Sequence, residues 1–132
     1  MILVDSSAFI EFYRPKGLPH VRAAVAEAID ADLVAVNGVI QVEILAFSSP
    51  RIPFAELLGD FKVFHWLDLE EVDFDFAAEI GYSLRRKAIT IPAPDLIIAA
   101  SAMRADAVLY HSDTHYDVLS RHVDLKAKNL QI

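Results

Sequence analysis

The chain has 132 residues, of which 55% are hydrophobic, with a formal net charge of -7 and no cysteine. That length suits one compact domain over residues 1–132, and the apolar fraction can fill a core without covalent staples. The missing cysteine excludes disulfides, zinc–thiolate centres and cysteine nucleophiles, while the acidity argues against a protein that grips nucleic acid through a basic surface.

An apolar opening, residues 1–4, is interrupted at once by Asp5 and has no basic segment before it, so it does not read as a leader. The longest apolar run, residues 96–103, is far too short to cross a bilayer. A cytoplasmic protein with no membrane contact is therefore expected.

Taken in chain order, Ile2, Leu3 and Val4 read as a buried first strand. Residues 21–29 are Ala-rich and helical, and residues 33–36 form a second short strand. Asn37 is a good N-cap for a helix running to about Phe47. Pro53 opens a short helix, followed by a strand over residues 63–67. Asp68 is the expected cap of the next helix. Glu70, Glu71, Asp73 and Asp75 near its start and Arg85, Arg86 and Lys87 at its end complement the helix dipole. Val72, Phe76, Ile80 and Leu84 mark its expected buried face. Pro94 sits in the first turn of a helix reaching about Arg104. Residues 107–110 then form a strand, with a last strand expected at residues 123–125.

Short apolar runs alternating with helices predict βαβ units: a three-layer α/β/α fold around a parallel sheet covered on both faces. Ligand sites in such sheets lie beyond the carboxyl ends of the strands.

Four of the 19 acids stand in apolar company. Asp5 follows the first strand directly. Glu43 lies among Val39, Ile40, Val42, Ile44 and Leu45. Asp95 is followed by Leu96, Ile97 and Ile98. Asp113 comes just after Val108, Leu109 and Tyr110. A carboxylate in such a setting costs several kcal/mol unless it is paired or bound to a cation, and no lysine or arginine adjoins Asp5, Glu43 or Asp95 in sequence. A shared divalent ion answers all of them at once, and hard oxygen donors point to Mg2+, with Mn2+ able to substitute. One or two such ions can activate water, polarise a phosphate and stabilise a leaving oxygen.

Each acid also has a plainer reading. Asp5 and Asp113 suit helix N-caps, and Asp95 suits a helix N-terminus. Glu43 has no such explanation, because capping is not available within a helix. Ser6 and Ser7 read as capping residues, or, for Ser7 first, as a hydroxyl supporting a bound water or phosphate. His111 and His115 flank Asp113 and read more plainly as exposed loop histidines than as ligands or acid–base groups.

Four segments together resemble the PIN-domain family, and in particular the VapC-type toxins of toxin–antitoxin pairs. They are residues 1–8 with Asp5, 39–44 with Glu43, 91–100 with Asp95 and 108–117 with Asp113, the third being the most specific match. The resemblance spans essentially the whole chain. His115 stands where many members carry a second acid, and Asp117 follows two residues later, so Asp117 is expected as outer support for Asp113. The resemblance implies a central parallel five-stranded sheet, a homodimer, RNA as substrate, products with 5′-phosphate and 3′-hydroxyl ends, and a cognate antitoxin that blocks the site.

Rival readings of the same acids fare less well. A phosphoacceptor signalling module needs a lysine after a late strand, and residues 108–113 contain none. A two-aspartate phosphatase needs an acid two residues after Asp5, where Ser7 stands. A catalytically silent binding module of the same fold need not keep all four acids.

Overall fold

The computed structural model describes residues 1–46 and 50–131. Its elements run β1 (Ile2–Val4), α1 (Ser6–Tyr13), α2 (Pro19–Asp30), β2 (Val34–Val36), α3 (Gly38–Leu45), α4 (Phe54–Val63), β3 (His65–Trp66), α5 (Glu71–Arg85), α6 (Ala93–Arg104), β4 (Val108–His111), α7 (Thr114–Ser120) and β5 (Ala127–Asn129). The five strands form one parallel sheet in the order β3-β2-β1-β4-β5. The fold class expected from the alternating pattern is thus present.

The strand order fixes where the sheet can bind something. The chain moves outward from β1 through β2 to β3, then returns to the other side of β1 and continues through β4 to β5. With right-handed crossovers, helices α1–α4 cover one face and α5–α7 the other. The direction of winding reverses between β1 and β4, which is the switch point where such sheets open a crevice. Leu3 pairs with Leu109 and Val4 with Tyr110 across this seam. The Asp5 amide extends it by donating to the Tyr110 carbonyl at 2.9 Å.

Leu3, Val4, Ala35, Val36 and Leu109 are buried in the core, as expected of strands covered on both faces. Between α1 and α4, Phe9 packs on Phe61 and Phe64, with ring centroids 5.1 and 5.6 Å away. Phe12 and Tyr13 pack at the edge of the same core. At Gly81 an added Cβ would come within 2.7 Å of Leu96 Cδ1, so the missing side chain lets α5 and α6 pack closely.

Several boundaries differ from the sequence expectation. Asn37 caps α3 as expected, accepting from the Ile40 amide at 3.1 Å. The helix is described through Leu45, and Phe47 lies outside the described residues. Residue 63 ends α4 instead of opening a strand, so β3 is only His65–Trp66, a short exposed edge. The cap of α5 is Glu70, not Asp68: Asp73 reaches back to the Glu70 amide at 2.9 Å in a reciprocal capping box. The Asp68 carbonyl instead accepts from Arg104 Nη2 at 2.7 Å.

The buried face of α5 is Asp73, Ala77, Ile80 and Leu84. Val72 is 53% exposed, because a strict spacing of four drifts by about 40° per step on a 3.6-residue helix. The last strand is Ala127–Asn129, paired with β4, whereas Val123 and Leu125 lie in the turn before it. There Leu125 is buried, and its amide bonds the Val123 carbonyl at 2.9 Å. As an edge strand bearing Lys128 and Asn129, β5 carries no apolar run for sequence reading to detect.

Candidate active site

Asp5 leaves the carboxyl end of β1, and Asp113 follows β4 by two residues, so the switch point brings these two together. Asp95 comes from the first turn of α6, and Glu43 from within α3. These two helices are tied by a buried bond from Asn37 Nδ2 to Ser101 Oγ at 3.2 Å, while Ser101 Oγ donates to the Ile98 carbonyl at 2.8 Å. The same asparagine that starts α3 therefore sets it against α6.

Asp5 is 2% exposed and held on both oxygens. Its Oδ2 accepts the Ser7 amide at 2.9 Å and Ser7 Oγ at 2.6 Å, and its Oδ1 accepts the Tyr116 hydroxyl at 2.7 Å. Ser7 Oγ in turn accepts the Ser112 amide at 2.9 Å, lacing the end of β1 to the end of β4. The capping reading of Asp5 is thus correct as far as it goes, but a cap does not explain the tyrosine on its other oxygen.

Asp95 stands beside Asp5 across that tyrosine, whose hydroxyl lies 3.4 Å from Asp95 Oδ1. His115 Nδ1 lies 2.8 Å from Asp95 Oδ2 and 3.2 Å from Asp113 Oδ1. Asp95, Asp113 and His115 each offer a donor atom within 4.8 Å of the other two. Asp113 also caps α7, accepting from the His115 amide at 2.9 Å. Glu43 accepts Ser6 Oγ at 3.0 Å and lies within electrostatic reach of Asp5, Asp95 and Asp113.

This crowding shows in the acidities. Burial pushes the Glu43 carboxyl above its usual range, and Asp5, Asp95 and Asp113 push it further, against the Ser6 bond. Burial and then Asp5 raise Asp95, opposed by its bond to His115. Burial, followed by Asp5 and Asp95, drives the Tyr116 hydroxyl far above the ordinary tyrosine range, so it remains a donor. The ion pairs of Asp95 and Asp113 among the described residues are both with His115, and neither carboxylate meets a lysine or arginine there. An oxygen-rich, under-neutralised donor set of this kind fits a hard divalent ion.

Asp117 sits apart from the three-donor group. Its Oδ2 accepts Asn129 Nδ2 at 2.9 Å, and its Oδ1 lies 3.9 Å from His111 Nε2. His111 is fully buried, not an exposed loop residue, and its Nδ1 accepts the Asp113 amide at 3.2 Å. Burial holds it below the usual imidazole range, and with Nδ1 accepting, a neutral ring would carry its proton on Nε2. His115 is half exposed, yet it bonds two of the acids. Sequence reading missed Tyr116 altogether. The available signal was a tyrosine three residues after Asp113, one helical turn on, whose hydroxyl would need a partner if buried.

A family model described as PIN domain matches residues 2–121. The chain belongs to the PIN-domain family. This PIN domain is 31% identical over 136 residues to the VapC ribonuclease Mb1587 of Mycobacterium bovis, a match covering 99% of this chain and 100% of that protein. Its fold is similar to that of FitAcB from Neisseria gonorrhoeae, with a TM-score of 0.78, 22% identity and 99% of both chains covered. It is also similar to VapBC2 from Rickettsia felis, solved bound to a DNA fragment from its promoter, with a TM-score of 0.76, 17% identity and 98% of both chains covered. Among the described residues no helix is long and apolar enough to cross a membrane.

Proposed function

We propose that this PIN domain, residues 1–132 acting as one unit, is a metal-dependent endoribonuclease and the toxin of a VapBC-type pair. Its ion would be Mg2+, with Mn2+ as a substitute, held by Asp5, Glu43, Asp95 and Asp113. The observation that carries the reading is the gathering of these acids at the switch point, where burial first and then their neighbours' charges leave Glu43 and Asp95 harder to ionise than ordinary carboxyls. The full-length likeness to a protein named VapC ribonuclease supports the choice of RNA as substrate.

A divalent ion there supplies charge to polarise the phosphate and acidify a water. The chain's own groups prepare the place. The Ser7 amide and hydroxyl and the Tyr116 hydroxyl leave Asp5 little rotational freedom. His115 draws Asp95 and Asp113 towards one point. Asp117, tied to Asn129 and facing His111, supports the segment behind Asp113 and does not bind the ion. Fixing the acids before substrate arrives avoids reorganisation during the reaction. The remaining partners of this reading are an antitoxin protein that covers the acids and a second copy of the chain, in the cytoplasm.

Purified protein is to be incubated with RNA in Mg2+ or in EDTA. Cleavage in Mg2+, with 5′-phosphate and 3′-hydroxyl ends, that is lost in EDTA and in Asp5→Asn and Asp95→Asn is the expected result. Cleavage that survives chelation or either substitution overturns the mechanism. Growth arrest on expression, relieved by the product of an adjacent reading frame, tests the toxin role.

A further inference from the structure

We propose that His115 supplies an imidazole nitrogen to the ion at this site, and so biases the centre towards Mn2+ over Mg2+. The inference rests on the reading of these acids as a metal centre and names one more donor and its consequence. His115 follows Asp113 by two residues, at the start of α7, where the helix turns its ring back over the acids. Its Nδ1 lies 2.8 Å from Asp95 Oδ2 and 3.2 Å from Asp113 Oδ1, and these three atoms form a group compact enough for one ion.

The alternative role, a purely structural ion pair, leaves one feature unexplained. The His115 side chain is 42% exposed, so it lies on the solvent approach and not in the packed interior where an orienting partner would be fixed. Asp5, by contrast, is oriented by an amide and two hydroxyls within the fold, with no need of a histidine. Nδ1 is also the nitrogen adjoining the side chain's attachment point, and it faces the carboxylates directly. Nδ1 has a lone pair to offer an ion held between Asp95 and Asp113.

The chemical consequence follows from donor softness. Mg2+ discriminates against nitrogen and keeps to carboxylate and water oxygen, whereas Mn2+ and the later divalent ions gain affinity from an imidazole.

Mn2+ bound to the intact protein can be examined by electron spin-echo envelope modulation. The expected result is a 14N modulation in the parent that disappears in His115→Asp, a variant that still offers oxygen. The ratio of Mn2+ to Mg2+ affinity, measured by calorimetry, should fall about tenfold in the same variant. Mn2+ binding that is lost in Asp95→Asn but shows no 14N modulation in the parent overturns the histidine ligand alone and leaves the metal centre standing. Failure of Mn2+ to bind at all, or binding indifferent to Asp95→Asn, overturns both.

Discussion

Tyr116 and Asp5, 111 positions apart, meet through a hydroxyl-to-carboxylate bond of 2.7 Å in the interior of the protein. That bond joins the end of the first strand to the seventh helix, and the same hydroxyl lies 3.4 Å from Asp95. The acids of the site are therefore held in a frame of hydroxyls and amides before any ion or substrate is considered.

Tyr116→Phe removes a donor to a buried carboxylate while keeping the ring. Stability should fall by about 1.5–3 kcal/mol, the usual worth of a hydrogen bond to a charged group. Urea denaturation of the ion-free protein measures it, with circular dichroism checking that the fold persists. An unchanged midpoint would show that water replaces the hydroxyl at no cost.

Asp95 and Glu43 oppose the usual pH behaviour of carboxylates. Burial, then neighbouring acids, raises both folded-state pKa values, so the folded protein binds more protons than the unfolded chain within that window. Their contribution is most favourable below the unfolded carboxylate pKa and declines as pH rises through the folded one. In EDTA at pH 7, Asp95→Asn and Glu43→Gln should therefore melt above the parent, and the gap should narrow towards about pH 4. Added Mg2+ or Mn2+ should raise the melting temperature of the parent more than that of Asp95→Asn. Variants melting below the parent at pH 7 in EDTA would refute burial of charge beside neighbouring acids as the dominant effect.

Arg104→Ala strips the counter-ion from Asp73, which is 1% exposed and bonded to Arg104 Nε at 2.7 Å. The same carboxylate caps α5 through the Glu70 amide, so two helices lose their junction. A loss of about 3 kcal/mol is expected, since an unpaired buried charge is costly. Chemical denaturation checks it, and Arg104→Ala with Asp73→Asn should recover part of the loss.

Ala88 follows α5 with a φ of 61°, in the left-handed region, where its amide bonds the Arg85 carbonyl at 3.0 Å. A Cβ is unfavourable there and glycine is not. Ala88→Gly should stabilise the protein by about 0.5–1 kcal/mol, read as a higher melting temperature with unchanged RNA cleavage. A lower melting temperature would mean that unfolded-chain entropy outweighs the relieved strain.

Much of the architecture was legible in the residues themselves. Buried apolar triplets separated by helical patterns imply a parallel sheet, and Asn37 and Pro94 start helices where expected. The α5 face was misread because spacing by four looks regular on paper but drifts around a 3.6-residue helix, leaving Val72 outside and Asp73 inside. A buried aspartate is invisible to a hydrophobicity pattern when its partner, Arg104, stands 31 residues away. The final strand escaped for the opposite reason: it is an edge, held by backbone pairing with β4 and not by apolar side chains.

The sequence by itself determined that Asp5, Glu43, Asp95 and Asp113 sit beside apolar elements, because local pattern governs which residues adjoin strands and helices. Only the tertiary structure decided the company those acids keep. It buried His111, turned His115 onto Asp95 and Asp113, sent Asp117 to Asn129, and hung Tyr116 between Asp5 and Asp95. Those contacts depend on strand order and on how helices seat across the sheet. Apart from the pairing of His115 with Asp113, they join positions too distant along the chain for any local periodicity to register.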